Sequence, residues 1–343
     1  MKRLLNTLYV TTQGSYINRE GTTLVVSLDG EVRLQVPAHT LQSIACFGRV
    51  MMSPPALHLC AEHRVGVSFF SEHGRLLARA VGPTTGNVLL RRAQYRAYDE
   101  PATAQAIVYP IVLAKLLNCR RVLQRALVMD AYASRHAQLA AAEAKLRQII
   151  EQIHPNHAVE ELRGFEGEAA THYFESMNAL VLENPSTFFM RQRNRRPPRD
   201  PLNALLSFLY ALLAHDYASA LDGVGLDPAV GFLHRIRPGR PSLALDLMEE
   251  LRPVLADRLA LTLINRRQVL PEGFVTTENG AVYLTDETRR TILVAYQERK
   301  REELTHPFLN EKIPLGLVPH VQGLLLARFL RGDLESYPAF IWR

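Results

Sequence analysis

The chain has 343 residues, a length suited to about two domains, and 47% of them are hydrophobic, enough to bury a sizeable core. Its formal net charge is +6, with 40 Lys and Arg, most of them arginine, against 34 Asp and Glu; the planar guanidinium fork holds phosphate bidentately, so the surplus leans toward a nucleic-acid partner. Cys46, Cys60 and Cys119 are odd in number and lack CxxC spacing, which excludes a disulfide framework and a cysteine zinc site. No stretch approaches the roughly 18 apolar residues of a membrane span, and Met1–Val10 turns polar too quickly for a signal peptide, so a cytoplasmic chain outside the membrane is expected. In chain order, residues 1–82 read as a β domain. Strands are expected at Leu8–Val10, Thr23–Leu28, Glu31–Val36, Arg64–Phe70 and Arg75–Val81. Asp29-Gly30 is a two-residue hairpin signal, and Glu31–Val36 alternates like a half-buried strand. Ser53-Pro54-Pro55 opens a short helix, since Ser caps and Pro suits a first turn. The set predicts a small antiparallel sheet or sandwich.

Gly82-Pro83-Thr84-Thr85-Gly86 marks the change from β to helical period. Residues 83–100 are expected as linker and start of the helical region, and 101–343 as an all-α domain. Helices are predicted over Cys119–Ile153, Pro201–Ala220, Ser242–Ile264, after a Thr285 cap, and over Pro314–Leu330. The fold class is thus α+β, with an N-terminal β-sandwich domain followed by an all-α domain.

Three segments can carry chemistry. In Gly164–Phe174, read as a helix, Glu166 shares a face with Ala169, Ala170 and Tyr173. A carboxylate on a small apolar face needs a cation or a donor; a slight rotation would instead leave it solvated beside Glu168. In Gly231–Pro241, His234 follows an apolar pair and precedes Arg235, Arg237 and Arg240. Its imidazole can serve as a metal ligand or general base, or be satisfied by backbone. In Ser242–Pro253, Asp246 and Glu249 stand one turn apart, so both can approach one cation, and Glu250 is a weaker rival; a solvated acidic stripe is the alternative. Between these segments, Arg191, Arg193, Arg195, Arg196 and Arg199 place five arginines in nine residues, and Pro197-Pro198 makes the stretch a loop. It is either a solvated basic loop or a grip on phosphate. Oxygen ligands for a divalent cation together with positive charge for a scissile strand are the requirements of metal-assisted phosphodiester chemistry.

Taken as an ordered set, these motifs resemble the CRISPR-associated integrase family of spacer acquisition. Glu166-Gly167, Ala169-Ala170 and Tyr173-Phe174 match one family pattern; Asp200-Pro201, Asn203-Ala204, Leu206 and Tyr210 match a second. Gly231–His234 and Arg240–Glu250 match two more, with a shorter loop at Pro238-Gly239-Arg240, and the likeness covers nearly the whole chain, closest to the type I-C branch. The resemblance implies that Glu166, His234 and Glu249 hold Mg²⁺ or Mn²⁺, that Asp246 supports the catalytic site, and that Tyr173 belongs to it or to the core. Arg191, Arg193, Arg195, Arg196, Arg237 and Arg240 are then candidates for DNA-backbone contacts. The implied assembly is a homodimer through the β domains, joined by a small ferredoxin-like partner, on double-stranded prespacer DNA. The implied reaction joins each prespacer 3′-hydroxyl to a CRISPR repeat boundary by transesterification, with endonuclease activity on branched DNA. A stand-alone structure-specific nuclease and a non-enzymatic DNA-binding scaffold are the competing readings.

Overall fold

A computed structural model describes residues 6–80, 82, 88–194 and 197–342, and the chain divides into two compact units, Met1–Gly86 and Asn87–Arg343. The first unit carries two four-stranded sheets. One contains β1 (Asn6–Val10), β5 (Leu41–Phe47), β7 (Gly66–Phe70) and β8 (Leu76–Ala80), in that spatial order. The other runs β4 (Glu31–Pro37), β3 (Thr23–Leu28), β2 (Tyr16–Glu20) and β6 (Met51–Met52). The helix α1 (Pro54–Glu62) is capped by Ser53, whose Oγ accepts from the Ala56 amide at 3.2 Å. Asp29 and Gly30 both have positive φ, 52° and 82°, the geometry of the tight hairpin turn their sequence predicts. Ile17, Leu24, Ile44, Cys46, Leu59 and Val67 bring both sheets and α1 into one core.

Two expectations for this unit are corrected. The first sheet is not purely antiparallel: β5 pairs parallel with both β1 and β7. Parallel neighbours need a crossover, and α1 supplies it between β5 and β7. The alternation in β4 does not mark a half-buried strand, because Val32 and Leu34 are exposed on the sheet edge. Strands β2, β5 and β6 carry no alternation strong enough to have been read.

The second unit is dominated by helices. These are α2 (Val88–Asp99), α3 (Pro101–Leu127), α4 (His136–Gln152), α5 (Val159–Leu180) and α6 (Pro201–Val224). They continue with α7 (Ser242–Leu251), α8 (Arg258–Asn265), α9 (Asp286–Arg301) and α10 (Val318–Leu330). The unit is not all-α: β9 (Phe274–Thr276) pairs with β10 (Val282–Leu284), and β11 (Glu303–Thr305) with β12 (Lys312–Pro314). Residues 88–99 of the expected linker region form α2; Val81 and residues 83–87 lie outside the described residues.

Two predicted long helices are broken. Cys119–Ile153 turns at Val128-Met129, where the buried Tyr132 donates to the Leu180 carbonyl and Arg135 donates to the Asn178, Ala179 and Val181 carbonyls. Those contacts fold α4 back beside α3 and satisfy acceptors at the end of α5. Ser242–Ile264 is interrupted by a wider π-helical turn over Arg252–Asp257. Pro253 lacks an amide hydrogen and would crowd the preceding turn, and the extra residue per turn relieves that conflict.

By length and composition α3 and α6 could cross a membrane, against the sequence reading, but 56% and 78% of their apolar windows are buried within the chain itself. Their apolar faces are core faces. The helix α7 packs between α3 and α6, and every residue in it but Leu245 is buried. A central helix cannot present a solvated acidic stripe.

The start of α6 depends on Asp200, whose carboxylate accepts from the Asn203 amide at 2.8 Å and from its side chain at 2.6 Å. Asp200→Ala should lower the stability of the helical unit by about 1–2 kcal/mol, read as a lower urea midpoint with an unchanged slope.

Candidate functional site

Four charged side chains meet where α7 packs against α3 and α3 against α5. Glu249 leaves α7, Glu166 leaves α5 and Lys115 leaves the middle of α3. The Lys115 ammonium hydrogen-bonds Glu166 Oε1 and stands 2.7 Å from Glu249 Oε2. Arg252, on the widened turn, reaches the other Glu249 oxygen at 2.7 Å. Glu249 is only 1% exposed. Burial alone would raise its carboxyl; Arg252, Lys115 and His234 reverse that and hold it down at about 2. Burial likewise works against a charged Lys115, but the Glu249 and Glu166 carboxylates outweigh it and raise its ammonium.

His234 lies on the loop before α7, and Asp246 organises that loop. Its Oδ2 accepts from the amides of Phe232 at 2.5 Å and Leu233 at 3.0 Å. Its Oδ1 stands 2.8 Å from both the His234 amide and His234 Nδ1. Because a carboxylate only accepts, the proton on the ring belongs at Nδ1, which leaves Nε2 with a free lone pair. Nε2 faces Glu249 Oε1 at 3.9 Å. Gly231 permits this wrapping: a Cβ there would sit 2.5 Å from the Ser242 carbonyl carbon and 2.6 Å from Asp246 Oδ2. From the other side, Arg163 donates to the Leu233 carbonyl through Nε and Nη2, at 2.9 and 2.6 Å.

Glu249 therefore lies beside His234 on one carboxylate oxygen and is linked through Lys115 to Glu166 on the other, joining three distant stretches of chain, with Asp246 behind the imidazole. The donor set, one imidazole nitrogen and two carboxylates, fits a divalent cation that accepts oxygen and nitrogen ligands. Glu249 Oε2 is buried and is met by the Lys115 ammonium at 2.7 Å, so a cation entering there would have to take the place of that charge. Among the described residues, however, no three His, Cys, Asp or Glu side chains stand close enough to hold an ion together as they are; the Lys115 ammonium occupies the space between the carboxylates. Glu250 is no rival ligand. Its carboxylate accepts from Tyr337 at 2.7 Å, Gln322 at 2.8 Å and the Phe340 amide at 2.7 Å, facing away from the site. Asp246 is likewise spent on the loop, so the reading that Asp246 and Glu249 approach one cation together is corrected.

Of the arginines, Arg191, Arg199 and Arg237 are exposed and Arg240 is half-buried. Arg193 is turned inward: it donates to Asn203 Oδ1 at 2.5 Å and Ser207 Oγ at 3.2 Å, and lies 5.3 Å from the Tyr210 ring centre. These contacts commit donors of its guanidinium to the polar face of α6. Arg195 and Arg196 lie outside the described residues. Tyr173 is buried, and burial with the nearby Asp257 carboxylate raises its hydroxyl.

Sequence reasoning missed Lys115, Arg252 and Arg163. A lysine within the apolar run Ile111–Leu117 was the available signal for the first. The others depend on contacts between elements. Beside His234 opens a cleft of about 630 Å³, whose walls include Tyr98, Pro101, Arg163, Phe232 and Ile236.

Residues 8–298 match the family described as CRISPR associated protein Cas1. The chain is 51% identical over 352 residues to CRISPR-associated endonuclease Cas1 2 of Rhodospirillum rubrum, covering all of both proteins. It is 47% identical over 346 residues to CRISPR-associated endonuclease Cas1 1 of Chlorobaculum tepidum, again over both full lengths. Among solved structures, a CAS1 protein from Thermotoga maritima is similar with a TM-score of 0.81 at 24% identity, covering 97% of this chain and 99% of that one. A casposase bound to integration product also gives 0.81, at 22% identity over 99% and 95% of the two chains. These two likenesses concern the fold.

Burial pushes Glu250 up to about 7, against its three donors, from an ordinary value of 4.5. Between those values the folded chain binds a proton that the unfolded chain has released, so this contribution is full below about pH 4.5 and is lost as pH rises to about 7. Asp257, raised by burial to about 6, acts in the same direction. His306, lowered by burial, acts in the opposite direction, so the test is the difference: from about pH 4.5 to 7.5 the melting temperature of metal-free wild type should fall relative to that of Glu250→Gln. Parallel wild-type and variant curves would contradict this assignment.

Proposed function

Since this chain belongs to the Cas1 family of CRISPR-associated proteins, we propose that it is a divalent-cation-dependent DNA integrase and endonuclease of spacer acquisition. The observation that carries the reading is that the buried Glu249 faces His234 Nε2 with one carboxylate oxygen and is joined to Glu166 through Lys115 on the other. Relatives named as endonucleases, matched over their whole lengths, support the nuclease chemistry. The casposase bound to integration product supports the joining reaction through its shared fold.

In this reading Glu166, Glu249 and His234 would hold Mg²⁺ or Mn²⁺. When bound, such a cation offsets the charge that develops on a transferring phosphoryl group. Asp246 keeps His234 in the tautomer whose Nε2 is available, the usual role of a carboxylate behind a ligating imidazole. Arg163 fixes the same loop through the Leu233 carbonyl. The cleft beside His234 receives the DNA end, and exposed Arg191 and Arg237 pair with backbone phosphates. Joining is a transesterification: a prespacer 3′-hydroxyl displaces the 3′-oxygen of a repeat-boundary phosphodiester, one ester bond forms as one breaks, and the hydroxyl proton ends on the leaving oxygen. No nucleoside triphosphate is needed.

The finer assembly follows the same reading. The first unit acts as a sandwich-type dimerisation domain, to which the exposed Val32 and Leu34 on β4 are suited. The likeness in fold to 36% of a chain in a Cas6-RT-Cas1–Cas2 complex supports a partner protein, read as small and ferredoxin-like. The motif cluster and length support a type I-C-like branch.

A strand-transfer assay with the partner, Mn²⁺ and a repeat-containing target tests the reading. Glu166→Gln and His234→Ala should each lower joining by at least about 100-fold, the scale of losing a metal ligand or its support, while DNA affinity stays within a few-fold. Cleavage of branched DNA without any joining would leave only the stand-alone nuclease. Separately, Arg191→Ala with Arg237→Ala should reduce the salt slope of DNA binding by about 2, roughly 0.9 for each phosphate no longer neutralised, equally on unrelated sequences. An unchanged slope would move both side chains off the DNA path.

A further inference from the structure

Lys115 is the one charged side chain on the apolar part of α3, residues 107–119, and it is 4% exposed. Its ammonium touches the same two carboxylates, Glu166 and Glu249, that the proposed cation would use. Toward Glu249 Oε2 it sits at 2.7 Å, an ion pair that helps to hold the Glu249 carboxyl low. Arg252, the permanently charged partner on the other side of Glu249, uses the opposite oxygen, which His234 Nε2 also faces, and lies 4.5 Å from the Tyr210 ring centre. Arg252 is thus anchored on the far oxygen, and among the described residues Lys115 is the cation in ion-pair contact with both carboxylates.

We infer that Lys115 is a resident stand-in cation: it holds the metal-free carboxylates of α5 and α7 together and competes with the divalent ion for them. The inference rests on the metal-site reading above. Two facing carboxylates in a buried place repel each other and are costly without a counter-charge, so a lysine there lets the unit fold before metal arrives. A divalent ion between Glu166, Glu249 and His234 would stand within a few ångströms of the ammonium, where repulsion in a poorly screened interior is strong. Lys115 therefore has to withdraw along its flexible four-carbon stem as the ion enters. Metal loading of the free protein is weakened by that displacement, and Lys115 sets how much.

The test uses the full chain and Mn²⁺ as the probe. Lys115→Met keeps length and apolar packing but removes the charge; Lys115→Arg keeps the charge. Calorimetric titration should show Mn²⁺ binding to K115M about tenfold or more tighter than to wild type, the order expected from removing one unit charge at this range, and to K115R no tighter than to wild type. Melting should show the complement: metal-free K115M melts below wild type, and saturating Mn²⁺ restores it. If K115M is recovered folded only in the presence of Mn²⁺, that restoration is the same result. Equal or weaker Mn²⁺ binding by K115M, or a low melt that Mn²⁺ fails to raise, overturns the stand-in role. Absence of Mn²⁺ binding in wild type and K115M alike would instead overturn the metal site itself.

Discussion

Burying a carboxylate is tolerable only where cations and donors surround it, and Glu249 imposes that condition on the whole helical unit. It lies on a helix with no exposed face, so its counter-charges must come from elsewhere in the chain. Lys115 arrives from α3 and Arg252 from the turn that follows α7. Glu166 joins through Lys115, giving an alternating series of acid and base, Glu166–Lys115–Glu249–Arg252. Each member is buried or half-buried, so removing any one leaves an uncompensated charge. The approach of α3, α5 and α7 is therefore fixed by charge pairing as well as by apolar packing.

The widened turn at Arg252–Asp257 belongs to the same arrangement. A regular helix through Pro253 would meet a missing amide donor and a steric conflict. The π-helical turn instead swings Arg252 back onto Glu249 and sets Asp257 to accept from Tyr210 at 2.6 Å. Tyr210 in turn lies against both Arg252 and Arg193. The conflict at one proline thus becomes a polar layer between α7 and α6. Distortions of this kind are frequent where a helix carries a site.

Neighbouring acids on α7 have opposite surroundings. Glu249 faces cations and is held low; Glu250 points to the opposite side, where neutral donors meet it and burial raises it. That opposite side ties down the end of the chain: Tyr337 and Phe340 bond the Glu250 carboxylate, and Asn118 on α3 donates to the Glu250 and Phe340 carbonyls. Trp342 closes the strap, donating to Asn118 and lying under Arg125 and Arg258. Residues 337–342 thus brace the helix that carries Glu249 and Asp246.

Local chemistry in the sequence determined the Asp29-Gly30 turn, the Ser53 and Thr285 caps and the helices they start. Each depends on a few neighbouring residues, and the ordered motifs carried the rest. Only the tertiary structure decided that β1, β5 and β7 run parallel, that two predicted helices break, and that Arg193 faces inward. It alone put Lys115 between the two glutamates and turned Glu250 away from them. Those outcomes come from groups tens to hundreds of residues apart competing for the same donors and the same buried space, and no local period records which of them wins.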